Sequence, residues 1–169
     1  MGMSGGTRDK EESTMEVKLI DARSEHAPFL AWVMLTAFRS HLERGMWDFY
    51  VGGSDSECLR FLETLNTTSQ SHWAHYSNFI IAEVDGEPAS ALCGYFEAEQ
   101  GSPSLLKGIE EANRALGRTE EDNVLGWQRA GSITNCSLGH VPNAWIVENV
   151  ATLPQFRRRG LVVDCSRRS

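Results

Sequence analysis

Residues 155–162, with the sequence QFRRRGLV, join a predicted strand to a predicted helix and could bind an anion. Gly160 permits a tight turn, so that several successive backbone N–H groups can point to one spot at the start of the helix. The unpaired amides of a first helical turn attract phosphate, and neighbouring arginines add charge. Arg157, Arg158 and Arg159 therefore fit a phosphate site, but also a solvated basic face, a nuclear localisation signal or contact with nucleic acid.

Glu148 is the second group that could do chemistry, because it is a carboxylate within a largely apolar predicted strand. Burial disfavours the charged form of a carboxyl group and would raise its pKa towards the range that suits a general base. The period-two pattern does not say which face of the sheet Glu148 occupies. An exposed glutamate at the end of a strand therefore remains the alternative.

These residues depend on a frame of predicted strands and helices. Asp85-Gly86 between two apolar runs indicates a tight hairpin at the centre of a sheet, and Ser54 or Asp55 can cap the helix that follows. Apolar residues elsewhere recur at period two in strands and at helical spacing in helices. The predicted order is a strand over residues 16–20, helices over 25–38 and from 40 towards 50, a helix after 55, paired strands over 78–84 and 87–98, a polar helical insertion over 99–141, and a strand from 143 onward.

Composition limits the class of protein. Asp and Glu outnumber Lys and Arg by 23 to 16, and the net charge of -7 argues against a general nucleic-acid-binding protein. Widely spaced cysteines favour reduced thiols in the cytoplasm, with the nucleus as the alternative, and no apolar run is long enough to span a membrane. His72, His75 and His140 lack metal-ligand spacing, so we expect no metal site. Residues 1–14 predict a disordered tail, and residues 15–169 predict one domain.

The sequence NVATLPQFRRRGL, from Asn149 to Leu161, resembles the acetyl-CoA signature of the GNAT superfamily of N-acetyltransferases. In that signature the fourth strand runs into a loop of the form Arg/Gln-x-x-Gly-x-Gly/Ala. Arg157 and Gly160 match it, whereas Val162 stands where glycine or alanine is usual. The order of the predicted elements resembles the N-terminal part of the GNAT fold, an α/β protein of the α+β type with a mixed, mostly antiparallel sheet, flanking helices and a helical insertion between strands 3 and 4.

The resemblance implies acetyl-CoA as co-substrate and an amine acceptor, either a small amine or a protein amino group. The acidic charge and the lack of a long apolar run argue against nucleic acid and membrane as partners. The resemblance implies that the pantetheine arm pairs with the main chain of the strand and that the pyrophosphate lies on the loop amides. It also implies Glu148 as the base, usually acting through water. The implied cofactor-binding residues are Val150, Ala151, Thr152, Arg157, Arg158, Arg159, Gly160, Leu161 and Val162.

The resemblance also implies further elements after Gly160: a long helix, a fifth strand, another helix and a closing hairpin. Residues 164–169 show no apolar stripe, so we expect that they do not pack across the sheet and that the domain is truncated at its C-terminal end. Two hypotheses follow. The chain is an acetyl-CoA-dependent N-acetyltransferase, or it is a catalytically inactive truncated product that acts, if at all, by binding a partner.

Overall fold

The computed structural model describes residues 15–134 and 144–168, and its centre is a four-stranded sheet in the order β1-β2-β3-β4. Every neighbouring pair of strands is antiparallel. This sheet and its flanking helices confirm the predicted fold class. The predicted tail over residues 1–14, and His140, lie outside the described residues. The strands are Val17–Asp21 (β1), Phe79–Val84 (β2), Glu87–Phe96 (β3) and Trp145–Thr152 (β4).

The hairpin between β2 and β3 has the turn that its sequence predicts. Asp85 and Gly86 both adopt a positive φ, 53° and 84°, which is the backbone of a type I′ turn. A Cβ added at Gly86 would meet no other atom, so the left-handed backbone and not lack of space favours glycine there. The turn aligns Val84 with Glu87 and so fixes the register of the two central strands.

Seven α-helices surround the sheet within the described residues. Ser54 caps one of them as predicted, because its hydroxyl accepts the Glu57 N–H while the Glu57 carboxylate accepts the Ser54 N–H. Three helices occupy the described part of the segment between β3 and β4, as predicted for the helical insertion. The helices are Ala27–Arg39 (α1), Met46–Val51 (α2), Asp55–Asn66 (α3), Glu97–Gln100 (α4), Ser102–Ala115 (α5), Glu120–Thr134 (α6) and Leu161–Arg168 (α7).

The helix predicted from residue 40 towards 50 begins only at Met46. The chain first turns at Ser40, which has a positive φ, and the Asp48 carboxylate accepts the Gly45 N–H at 2.7 Å to close the first turn. Arg39 then joins three helices, since its guanidinium donates to Asp48 of α2 and to Asp55 of α3. Burial would raise the pKa of Asp48, but the hydrogen bonds from Arg39 and Gly45 outweigh it and lower that pKa.

The main core lies on the face of the sheet that α1 and α3 cover, where aromatic rings pack against one another. Trp47 is fully buried and lies within 6.2 Å, centroid to centroid, of the rings of Tyr50, Phe61 and Trp73. Burying a large apolar side chain stabilises a fold by about 2 kcal/mol, so this cluster is a main source of stability.

The opposite face carries a smaller core, and here one expectation was wrong. Residues 164–168 do continue a helix, and they do pack on the sheet. Leu161 and Cys165 are 3% and 0% exposed and lie against Ala82, Val84 and Leu92. The two residues are four apart and therefore lie on one side of α7, so a cysteine supplies the second apolar contact, which the search for an apolar stripe in the sequence did not find.

His72 is a buried histidine with hydrogen bonds at both ring nitrogens. Its Nδ1 accepts the Ala74 N–H at 3.2 Å, so Nε2 carries the proton and donates to Thr68 Oγ1 at 2.8 Å. Gly108 of α5 lies against the ring, and a Cβ at that position would overlap it. Burial, with a smaller effect of His75, lowers the pKa of His72 to about 4.

We expect His72 to make the protein sensitive to mild acid. The pKa of His72 is about 4 in the folded state and about 6.5 in an unfolded chain, so protonation favours unfolding as the pH falls below 6.5. Between pH 7 and 5 the free energy of unfolding should fall by about 2 kcal/mol more in the wild type than in His72→Gln. Urea denaturation at the two pH values measures this difference. His41→Gln, at an exposed histidine, is the control and should behave as the wild type.

Candidate cofactor site

Strand β4 contains a β-bulge that separates its two halves. Ala91 pairs with Ala151 and Cys93 pairs with Glu148, so two residues of β4 lie opposite one residue of β3. Asn149, the first of these two, has a φ of 52°. The bulge interrupts the ladder and bends the strand. In the described part of the chain β4 pairs only with β3, so the main chain along its other edge is open.

Glu148 lies on the face of the sheet that α1 and α3 cover, because it is paired with Cys93, a member of the main core. The side chain is half-buried. Burial raises the pKa of the Glu148 carboxyl, and an interaction with the Tyr95 hydroxyl opposes that shift. The structure thus places Glu148 in partly desolvated surroundings that suit a general base. The sequence alone did not indicate which face of the sheet this side chain occupies.

The loop between β4 and α7 presents successive free amides. Arg157 N–H donates to Pro154 O at 3.4 Å, and Val163 N–H donates to Gly160 O at 2.9 Å. Between them, no acceptor in residues 15–134 or 144–168 takes the N–H groups of residues 158–162. Arg158 and Gly160 have φ values of 63° and 81°, and such a left-handed backbone turns neighbouring amides inwards. These amides, together with the start of α7, can hold a phosphate group.

The arginines of this loop differ in what they contact. Arg157 Nε donates to Thr152 O at 3.3 Å and therefore ties the loop to the strand. Arg159 contacts the Met15 thioether, and its guanidinium carbon lies 5.7 Å from the centroid of the Phe156 ring. Arg158 has neither a hydrogen bond nor an ion pair to any described residue. Arg158 is consequently the cation that is available to an anionic ligand.

The other predicted cofactor residues are placed as follows. Ala151 is buried, and its carbonyl accepts the Ser90 hydroxyl at 3.0 Å. Thr152 is half-buried with its hydroxyl 2.8 Å from that of Ser90. Val150 is exposed on β4. Leu161, the first residue of α7, is buried against the sheet, and Val162 is half-buried in the first turn of that helix. The site residues therefore follow one another along a single path, from the open edge of β4 to the start of α7.

Two contacts between β3 and β4 were not predicted. Tyr95 lies beside Glu148, and Trp145 covers Gly94 so closely that a Cβ on the glycine would overlap the indole. Both depend on the register between β3 and β4. The residues that separate these strands in the sequence give no local signal for that register, unlike the hairpin turn at Asp85 and Gly86.

The comparisons with known proteins give the fold. The sequence matches no protein-family model and no curated protein. The structure resembles a crystal structure described as an acetyltransferase, with a TM-score of 0.66 and 15% identity over 89% of this chain and 71% of that chain. It also resembles an N-acetyltransferase from Staphylococcus aureus Mu50, with a TM-score of 0.59 and 18% identity over 89% of this chain and 73% of that one. At these identities the likeness establishes an acetyltransferase-like fold.

None of the described helices is long and apolar enough to cross a bilayer.

Asn149 is the most unusual residue of β4. It is 5% exposed, and neither its side-chain oxygen nor its side-chain nitrogen has a hydrogen-bond partner among residues 15–134 and 144–168. Asparagine tolerates a left-handed backbone better than other residues with a Cβ, apart from aspartate. The backbone of the bulge, and not a hydrogen bond of the amide, therefore explains asparagine at this position.

We expect glycine to be better tolerated than alanine at position 149. Both substitutions remove the amide, but only alanine places a Cβ on a left-handed backbone, so the free energy of unfolding of Asn149→Ala should be lower than that of Asn149→Gly by about 1 kcal/mol. Thermal or urea denaturation of the two variants checks this. At Val147, on the extended part of the same strand, the order should be reversed, because glycine is there the weaker residue. Greater stability of Asn149→Ala would contradict the bulge.

Proposed function

We propose that the chain is an acetyl-CoA-dependent N-acetyltransferase that transfers an acetyl group to an amine. The observation that carries this proposal is the row of free amides over residues 158–162, at the end of a bulged strand with an open edge. A diphosphate fits such a row, because each N–H can donate to an anionic oxygen. The acetyltransferase-like fold supports the same proposal.

The cofactor would follow the path from strand to helix. Its pyrophosphate would accept hydrogen bonds from the amides of residues 158–162, with Arg158 as the charged side chain. The arm of the cofactor contains amide groups, which can pair as a further strand would with those main-chain groups of Val150, Ala151 and Thr152 that β3, Ser90 and Arg157 leave unbound. Acetyl-CoA would supply a thioester: the nitrogen of the acceptor forms a bond to the acetyl carbon, the C–S bond breaks, and the leaving thiolate takes up the second proton that the nitrogen loses.

Glu148 would act as the general base. An amine is protonated at neutral pH and becomes a nucleophile only after it loses a proton. The Glu148 carboxylate can take up that proton, directly or through water, and becomes a neutral carboxylic acid. Because burial raises the pKa of Glu148, that pKa lies closer to the working pH than the pKa of an exposed glutamate does. The acceptor is a small amine or a protein amino group, and the acidic charge of the protein favours such a cation.

A second candidate function is binding of a protein partner without catalysis. Phe96 and Trp145, which are paired across β3 and β4, are 51% and 40% exposed, and Val147 is exposed beside them. Exposed apolar residues of this kind occur at protein interfaces. We also propose a reducing compartment such as the cytoplasm, because the thiols of Cys58 and Cys93 are buried and form no disulfide in the described part of the chain.

We expect acetyl-CoA to raise the thermal midpoint of the wild-type protein, because a ligand that binds only the folded state stabilises it. Arg158→Gln should weaken binding about five- to tenfold, as measured by isothermal titration calorimetry with acetyl-CoA, since one charged hydrogen bond to phosphate is lost. Arg167→Gln, at the far end of α7, is the matched control and should bind as the wild type. If acetyl-CoA does not change the thermal midpoint, the enzyme proposal is wrong and the partner-binding candidate remains.

We expect Glu148→Gln to lower kcat about a hundredfold or more with little change in the affinity for acetyl-CoA, because a positioned base is lost and the cofactor contacts remain. Release of the free thiol of the cofactor, measured with a panel of small amines and amino-terminal peptides, gives the rate. Glu83→Gln, at a half-buried glutamate of β2, serves as the control. Equal rates for Glu148→Gln and Glu83→Gln would exclude Glu148 as the base.

A further inference from the structure

Tyr95 is a diagonal neighbour of Glu148 on the same face of the sheet. In the register of β3 and β4, Tyr95 lies opposite Ile146 and Cys93 lies opposite Glu148. Diagonal pairs of this kind are within reach of long side chains. The register therefore places the phenol of Tyr95 and the carboxyl of Glu148 side by side on one face of the sheet. A phenol O–H is a donor and a carboxylate is an acceptor, so the direction of this contact is fixed.

The ring of Tyr95 is held in place by the core. Tyr95 is only 5% exposed, and its ring stacks on that of Trp73 with centroids 6.3 Å apart and planes 26° apart. The main chain of Trp73 is itself tied to β3, because the Cys93 thiol donates to Trp73 O at 2.8 Å. A buried ring between these neighbours has few alternative rotamers, so its hydroxyl stays beside Glu148.

Few other charges act on Glu148. β3 contributes Cys93 and Tyr95, and Glu97 at the end of that strand acts on Tyr95. In α1 the ionisable side chain is Arg39, which is bound by Asp48 and Asp55. α7 lies on the opposite face of the sheet, where its Asp164 and Arg167 form an ion pair. Tyr95 is therefore the polar side chain that β3 places diagonally beside Glu148 on the main-core face.

We propose that Tyr95 is a positioning residue for Glu148: its phenol hydroxyl donates a hydrogen bond that keeps the carboxylate ionised and holds it in one orientation, so that one oxygen remains available for the proton of the acceptor. This inference rests on the proposed function.

The two side chains act on each other in a consistent way. Burial raises the pKa of Glu148, and Tyr95 limits that rise because a donor stabilises the charged form. Burial, followed by the charge of Glu148, raises the pKa of Tyr95. The phenol therefore keeps its proton at neutral pH and remains a donor, while Glu148 accepts and releases a proton.

The experiment measures the ionisation of Glu148 directly. The pKa of its carboxyl carbon is obtained by ¹³C NMR titration, with Glu148→Gln used to assign the resonance. Tyr95→Phe keeps the ring and its stack on Trp73 but removes the donor, and we expect the pKa of Glu148 to rise by about one unit. The acidic limb of kcat against pH should move by the same amount, which is a tenfold loss of rate on that limb and little loss on the plateau.

Two controls make the outcome specific. Tyr76→Phe removes a hydroxyl elsewhere in the protein and should leave the pKa of Glu148 unchanged. Replacement of all three tyrosines by 3-fluorotyrosine, whose hydroxyl is a stronger donor, should lower that pKa. If Glu148 titrates at the same pH in folded Tyr95→Phe as in the wild type, or if Tyr76→Phe shifts it equally, the inference is wrong.

The inference and the proposed function can fail separately. If Tyr95→Phe shifts the titration of Glu148 but the wild type transfers no acetyl group, the pairing stands and the proposed function is wrong. If the wild type is active and the acidic limb of Tyr95→Phe does not move, the positioning inference is wrong and the proposed function stands.

Discussion

The pairing of β3 with β4, and the shift in its register at Asn149, is the constraint on which the candidate site depends. On one side of the bulge, the pairing of Glu148 with Cys93 places the carboxylate on the main-core face beside Tyr95. On the other side, the pairing of Ala151 with Ala91 leads the chain through Thr152 into the loop. Without the bulge, each residue after Glu148 would lie on the opposite face of the sheet from the one that it occupies, because the side chains of a strand alternate between the two faces. The bulge therefore lets one strand serve both the proposed proton transfer and the proposed cofactor path.

Several side chains of the loop after β4 contact other parts of the protein and hold the loop in place. Arg157 is bound to the carbonyl of Thr152, and Arg159 lies between Met15 and Phe156. Leu161 and Cys165 fasten α7 to the sheet. These contacts fasten the segment that carries the amides of residues 158–162 on both sides, so a bound anion would need little rearrangement. Pre-organisation of this kind lowers the entropic cost of binding.

Short sequence patterns predicted much of the fold, but they could not predict which residues pair between strands that are distant in the sequence. Asp85-Gly86 predicted the central hairpin and Ser54 predicted the start of α3, because each signal acts within a few residues. The register between β3 and β4 is set across the helical insertion, so the neighbourhood of Glu148 and Tyr95 needed the structure. The sequence RRR also does not indicate that its three arginines make different contacts. The packing of α7 was missed because Cys165 was not counted as an apolar residue.

The contact between Gly94 and Trp145 has a consequence for how this protein can evolve. The indole occupies the space of a Cβ at position 94, so no side chain can be accepted there while the tryptophan keeps its place. A smaller residue at position 145 would have to come first, and it would leave Gly94 uncovered in the middle of a strand. Positions 94 and 145 should thus change together among relatives of this chain, although they are distant in the sequence. Covariation of this pair would identify sequences that share the register of β3 and β4.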